Sequence, residues 1–440
     1  MYQEKWCPLK RILFVFMEMR RVQLHWPPPY LVSCKPIKLA SEKNKYSWFS
    51  GAGLGAAFLM ANSSIGPGFL TQTTVFTYQL LSSCGFVILF SLLLDIGAQL
   101  NTWRIITVSE MRAQDLSNRL LPGWGYIIAF LVVGGGFAFN IANIAGCGMG
   151  LNVLTGISFE SGAVLSCIIA LLLFWYREIG SMLDKFTRIA GMAKILLTLI
   201  IAIVAHPPLF QAVHHTFVPQ VVSTQAIITI VGGTVGGYIT FSGAHRLMDA
   251  GIKGKENLAR TDKSATAGIL ISGLMRFILF LAVLGAVQLG CVPDKNNPAA
   301  TVFGFVAGNW GLRIFGIVLW AAALSSVMGA AYTSVSFMKT FHPWIARQER
   351  LFISGFIVVS TLFFVAVGKP AQLLLLAGMI NGLILPIALG TLLIAGNNVN
   401  LMKGYKHPIW MQVAGWLVVI VMGWMGLGAV RDWLQGTLFR

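Results

Sequence analysis

From Trp48 almost to the C-terminus the chain is a succession of apolar windows, each close to the ~20 residues that an α-helix needs to cross a bilayer. Hydrophobic residues make up 56% of the 440 and charged residues 11%, too little polar surface to cover a soluble globule of this size. The bilayer must therefore be the solvent. The expected class is an all-α polytopic membrane protein with about eleven spans. They fall near residues 48–80, 83–103, 124–151, 162–176, 189–205, 226–249, 265–289, 311–337, 352–368, 372–395 and 409–430.

A formal net charge of +17 suggests nucleic-acid binding until the positions of the basic residues are noted. They cluster in alternate loops: Arg104, Arg112 and Arg119; Arg177, Lys185 and Arg188; Arg246, Lys253, Lys255, Arg260 and Lys263; Lys339, Arg347 and Arg350; Lys403 and Lys406. The loops between them, 155–162, 206–225 and 291–300, hold only Lys295. By the positive-inside rule this pattern reports topology in a cell membrane, plasma or bacterial inner. The N-terminus is expected in the cytoplasm and the C-terminus outside. The partners implied are the lipid bilayer and a small-molecule substrate, with no nucleic acid and no obligate protein partner.

Residues 1–45 differ from the rest: they are basic, contain Pro27-Pro28-Pro29, and have one apolar stretch too short to span. They are expected to form a disordered or surface-lying cytoplasmic tail ahead of a transmembrane domain over 46–440. The six cysteines show no paired spacing, which argues against a disulfide framework or a zinc site. In no span does one His, Asp or Glu meet another, so no catalytic pair is in view and an enzyme is not expected. No loop is long enough to fold as a sensor domain.

Two spans are interrupted. The first carries Gly66-Pro67-Gly68 in its middle, and the sixth carries Gly232-Gly233 and Gly236-Gly237. Proline removes a helix hydrogen bond and glycine weakens the helix, so both should break near the bilayer midplane. A single glycine cluster is more often a close helix contact. Two breaks five spans apart instead match a five-plus-five inverted repeat, in which unwound backbone lines a binding cavity.

These segments resemble the NRAMP (natural resistance-associated macrophage protein) family of metal transporters. Ala57 to Phe69 is similar to the family's first helix, with Gly66, Pro67, Gly68 and Phe69 at its Asp-Pro-Gly-Asn signature. Gly236, Gly237 and Tyr238 stand at the Met-Pro-His of its sixth. Span three, Ala323 to Ser326 with Gly329, and Leu385-Pro386 resemble the third, eighth and tenth helices. The resemblance implies a LeuT-like architecture of eleven helices with helices 1 and 6 broken, working as a secondary transporter. It also implies divalent-metal transport, but the positions of the metal ligands are Gly66, Phe69 and Gly236, which offer no donor atom. The acidic proton path of the third helix reads Asn140 and Asn143.

Exchanging ligands for glycines, with Gly134-Gly135-Gly136 in span three, should open volume lined by Phe69 and Tyr238. The half-helix after Gly68 would aim free amides and a positive dipole end into it, an arrangement suited to a carboxylate. The expected cargo is a small organic carboxylate or amino acid. The alternative is a divalent metal ion (Mn²⁺, Fe²⁺ or Mg²⁺) held by backbone carbonyls and waters. The candidate substrate residues are Gly66, Pro67, Gly68, Phe69, Asn140, Asn143, Gly236, Gly237, Tyr238, Arg276 and Gly378. Ser325 and Ser326 are candidates for a coupling sodium ion, as a hydroxyl pair used with helix-one carbonyls. The coupling ion is expected to be Na⁺ or H⁺, with no other cofactor. His206, His214 and His215 fall in an external loop without carboxylates and read as incidental.

Arg276 lies deep in span seven, where a charge costs at least ~2.5 kcal/mol and so seeks a partner in the bundle interior. Apart from Asp249 at the last position of span six, the one acidic residue in the spans is Asp95, expected near the cytoplasmic end of span two. With no carboxylate nearby in sequence, Arg276 is expected to add positive potential to an anion pathway.

Overall fold

The computed structural model describes residues 65–435. The tail 1–45, the first half of span one, and the side chains of Arg177, Lys185, Arg188 and Arg246 lie outside the described residues. What is described is almost entirely helical. In chain order the helices are α1 (Pro67–Leu80), α2 (Cys84–Ser109), α3 (Ala113–Leu120), α4 (Trp124–Thr155), α5 (Phe159–Trp175), α6 (Arg177–Val204) and α7 (Leu209–Phe217). They continue with α8 (Thr224–Thr234), α9 (Tyr238–Asp249), α10 (Leu258–Gln288), α11 (Pro298–Met338), α12 (Pro343–Arg347), α13 (Glu349–Val367), α14 (Pro370–Gly396) and α15 (Ile409–Leu434).

Eight described segments are long and apolar enough to cross a membrane alone, and a ninth is the pair α6 and α7, bent by 109°. The shorter apolar α5 and the division of Pro67–Ser109 into α1 and α2 complete the eleven expected spans. The boundaries follow local chemistry. Proline, whose missing N–H costs nothing at a first turn, opens α1, α11, α12 and α14. Side chains of Ser158, Ser223 and Asn297 accept from the amides of Ser161, Ala226 and Ala300 to cap α5, α8 and α11. Gly156 and Gly368 end α4 and α13 in the left-handed region, where a Cβ would be strained.

Three segments differ from the sequence expectation. The loop with His214 and His215 is instead α7, folded back so that Thr216 packs on Gly85 at the start of α2 while Ser82 hydrogen-bonds His215 at 2.5 Å. Helix α11 begins at Pro298, 13 residues before the expected start of span eight at 311, and turns at Gly308 (φ 62°). Helix α2 runs on to Ser109, and Asp95 falls near its middle rather than near its cytoplasmic end.

Ion pairs tie the basic loops together at one end of the bundle. Arg104 binds Asp262, Arg112 meets Asp249 at 3.2 Å, Lys403 meets Glu110 at 2.9 Å, and Lys255 donates to the Lys403 carbonyl at 2.6 Å. The loops after α2, α9 and α14 therefore share one face. Each pair is partly exposed and contributes at most ~1 kcal/mol, so they order the loops more than they stabilise the fold. The core instead lies where α4, α8, α14 and α1 meet, and there it is built on glycine. A Cβ on Gly232 would fall 1.9 Å from the Gly378 carbonyl oxygen and 2.3 Å from the Gly382 nitrogen. Backbone thus packs on backbone between α8 and α14, the small-residue contact that replaces the hydrophobic effect inside a bilayer.

Candidate functional site

Both predicted interruptions are present at the centre of this core. Gly66 is extended (φ −87°, ψ −171°), and α1 starts at Pro67, so span one is not helical at Gly66. Span six ends its first half at Thr234 and restarts at Tyr238, with Gly237 at φ 46° where an L side chain is strained.

Around the first break the structure gathers Gly66, Asn143, Tyr238 and Ser326. The position of a Cβ on Gly66 lies 3.4 Å from Ser326 Oγ and 3.9 Å from Asn143 Oδ1. The Tyr238 side chain lies against Asn143 and packs edge-on to Phe139, with ring centroids 5.3 Å apart. Phe139, which the sequence reading passed over as one more apolar residue, also stands by Gly68. Pro67 packs into Gly146 of α4, close enough that only glycine fits there.

The other candidates go elsewhere. Asn140 donates to Ser360 of α13 at 3.1 Å and so ties α4 to that helix. Ser325 donates to the Ala322 carbonyl of its own helix at 3.0 Å. Gly378 packs against Gln72 and the Thr229 carbonyl between α1 and α8. Gly236 and Gly237 do not border open volume. Their Cβ positions lie 2.5 Å from Gly232 Cα and 1.9 Å from Asn381 Oδ1, and Gly135 and Gly136 likewise abut Asn381 and Ser334. These glycines serve close approach, the commoner use of glycine between membrane helices.

Asn381 closes the second break. Its Nδ2 donates to the carbonyls of Gly135 at 2.9 Å and Ala377 at 3.0 Å, and its Oδ1 accepts from the Tyr238 amide at 3.4 Å. Gln72 does similar work on α1, donating to the Leu374 carbonyl at 3.1 Å. Both are fully buried. A lone amide inside an otherwise apolar span was the available signal for Asn381, since it cannot be left unpaired in hydrocarbon, whereas Gln72 sits among threonines that hide it.

Two buried cations flank the start of α1. Lys194 of α6, 2% exposed, donates its Nζ to the Ile65 carbonyl immediately before the break. Arg276 of α10, 3% exposed, places its guanidinium carbon 4.3 Å from the centre of the Phe69 ring and reaches the Ile230 carbonyl at 3.4 Å. Phe69 is thereby turned toward α2 and α10, away from Tyr238. Arg276 does have a carboxylate neighbour, contrary to the sequence expectation. Asp95, Ser91, Thr234 and Arg276 line one cavity of about 10 Å³, and among the described residues Asp95 Oδ1, Ser91 Oγ and Arg276 Nη2 have no hydrogen-bond partner. The packing of α2 on α10 brings the two charges to one cavity.

Comparison with known proteins places this geometry. Residues 57–430 match the family model "Natural resistance-associated macrophage protein-like". The membrane protein YcsG of Bacillus subtilis (strain 168) is 59% identical over 374 residues, covering 85% of this chain and 93% of that one. Among solved structures, the manganese transporter of Eremococcus coleocola in complex with an aromatic bis-isothiourea compound superposes with a TM-score of 0.66 at 19% identity, covering 86% of each chain. MhsT in complex with L-phenylalanine superposes with a TM-score of 0.56 at 14% identity, over 86% of this chain and 98% of that one. Those likenesses carry the LeuT-like fold alone, but the family match spans nearly every described helix. The chain belongs to the natural resistance-associated macrophage protein-like family and is a multi-pass membrane transporter, not an enzyme.

Proposed function

We propose that this transporter is a secondary active carrier of a small organic anion, a carboxylate or an amino acid, working by alternating access around the start of α1. The observation that carries this reading is the pair of buried cations, Lys194 and Arg276, on either side of Ile65 to Phe69. A divalent cation brought to Gly66 would meet the positive end of the α1 dipole with Lys194 close behind it, and among the described residues no carboxylate is found at the break. A carboxylate meets the reverse. The amides of Gly68 and Phe69 fall in the first turn of α1, where N–H groups have no helical acceptor, and Asn143 and Ser326 add polar groups beside Gly66, with Tyr238 against Asn143.

The second reading, a divalent metal, draws on the family and on the manganese transporter of similar fold. The experiment is uptake into proteoliposomes of ¹⁴C-labelled amino and keto acids against ⁵⁴Mn²⁺. Saturable uptake of a carboxylate, reduced by Gly66→Val, supports the first reading. Saturable Mn²⁺ uptake lost in Gly66→Val, with no carboxylate carried, would replace it with the second.

A further inference from the structure

The Lys194 ammonium sits where an oxygen-lined cation site would otherwise form. Because span one is extended at Gly66, the Ile65 carbonyl is not taken up by a continuing helix, and the first backbone bond of α1 runs from the Leu70 amide to the Gly66 carbonyl at 3.4 Å. The hydroxyl of Ser326 stands beside Gly66 on the α11 side. The Ile65 carbonyl and the Ser326 hydroxyl both lie at the helix break, and both are hard oxygen donors of the kind that coordinate a sodium ion. Here the carbonyl is taken by Lys194 Nζ. Among the described residues the lysine takes part in no ion pair, yet it is 98% withdrawn from solvent. An ammonium on a lipid-embedded helix is costly, and a lone buried lysine without a carboxylate does not arise from packing preference.

We propose that Lys194 is a built-in cation that occupies the place of a coupling sodium ion, so that its charge holds the span-one break and the transport cycle does not use sodium. This rests on the transporter reading but not on the identity of the cargo. It also predicts that removing the side chain uncovers a latent site for a monovalent cation at the Ile65 carbonyl and Ser326.

The test needs no cargo. The purified full-length protein in detergent is melted in increasing NaCl, with choline chloride holding ionic strength constant. Wild type should show no difference between the two salts. Lys194→Ala should be less stable in choline and gain a saturable, sodium-specific rise in Tm, on the order of 2 °C or more once sodium exceeds half-saturation several-fold. Adding Ser326→Ala to Lys194→Ala should abolish that gain. A saturable sodium-specific shift in wild type would overturn the proposal, as would a folded Lys194→Ala that responds to sodium no more than to choline. Should Lys194→Ala fail to fold, Lys194→Gly in a thermostabilised background and the wild-type sodium arm carry the same decision. A proteoliposome measurement separates this idea from the cargo reading. Carboxylate uptake that is indifferent to a sodium gradient supports both, sodium-driven carboxylate uptake refutes only the built-in cation, and absence of carboxylate uptake refutes only the cargo.

Discussion

Replacing Arg276 by glutamine would remove a charge while keeping much of the side chain's length and a donor for the Ile230 carbonyl. Asp95, 3% exposed and lining the same small cavity, would then stand in the bundle interior without its counter-charge. Breaking a buried pair by removing one partner costs about 3–5 kcal/mol. The variant has an escape, which is to protonate Asp95. Measured against the unfolded chain, whose exposed aspartates are ionised at pH 7, that costs at most about 4 kcal/mol, at 1.36 kcal/mol for each of roughly three pH units. Both routes cap the charge-dependent loss at about 4 kcal/mol at pH 7, and the second makes it depend on pH. At pH 5 that ceiling falls to about 1.5 kcal/mol, while the lost stacking on Phe69, about 1–2 kcal/mol, adds equally at both pH values. Asp95→Asn combined with Arg276→Gln should recover most of the charge-dependent loss, with a coupling energy of about 2–3 kcal/mol in the double-mutant cycle. Chemical unfolding in detergent, followed by tryptophan fluorescence at pH 5 to 7.5, measures all four proteins. An Arg276→Gln protein within about 0.5 kcal/mol of wild type at pH 7, or a deficit that does not shrink on acidification, would refute the claim that the two charges hold one another.

Gly232→Ala should cost about 3 kcal/mol, the upper end for overpacking, because its Cβ meets the backbone of Gly378 and Gly382, which cannot rotate away. Gly134→Ala, with nothing within 4 Å of its Cβ, is the control and should be neutral or slightly stabilising in the same melting assay. Asn381→Leu should lose about 1–3 kcal/mol and speed hydrogen exchange at the Tyr238 amide, since the acceptor sealing the span-six break is gone; unchanged exchange there would show that the amide has another partner. His407, in the loop between α14 and α15, contacts Asn101 Oδ1 at 2.7 Å through Nε2, and burial, then the charge of Arg104, pushes its pKa from 6.5 down to about 4. With the folded value depressed, the neutral ring's contribution is fully present above pH 6.5 and is lost as pH falls toward 4, so stability should decline over that window and His407→Gln should flatten the decline.

The sequence alone determined the solvent, the spans and the two breaks. Span length answers to bilayer thickness, and proline with glycine interrupts a helix whatever surrounds it, so both are local properties that composition and spacing reveal. Gly66-Pro67 and Gly236-Gly237 were legible for that reason. What the glycines do was not, because an absent side chain reads the same whether it opens a pocket or admits a neighbouring backbone. Only the approach of Gly378, Gly382 and Asn381 decided for close contact at Gly232, Gly236 and Gly237. The pairing of charges was equally out of reach. Asp95 and Arg276 are 181 positions apart, and whether they meet depends on how α2 and α10 pack and rotate against one another. Lys194 lies within the fifth expected span, 189–205, and nothing in the sequence assigned it a role. The tertiary structure placed its ammonium on the Ile65 carbonyl, because a buried charge takes whatever acceptor the packing brings within reach and the carbonyl left by the broken helix is the one it meets.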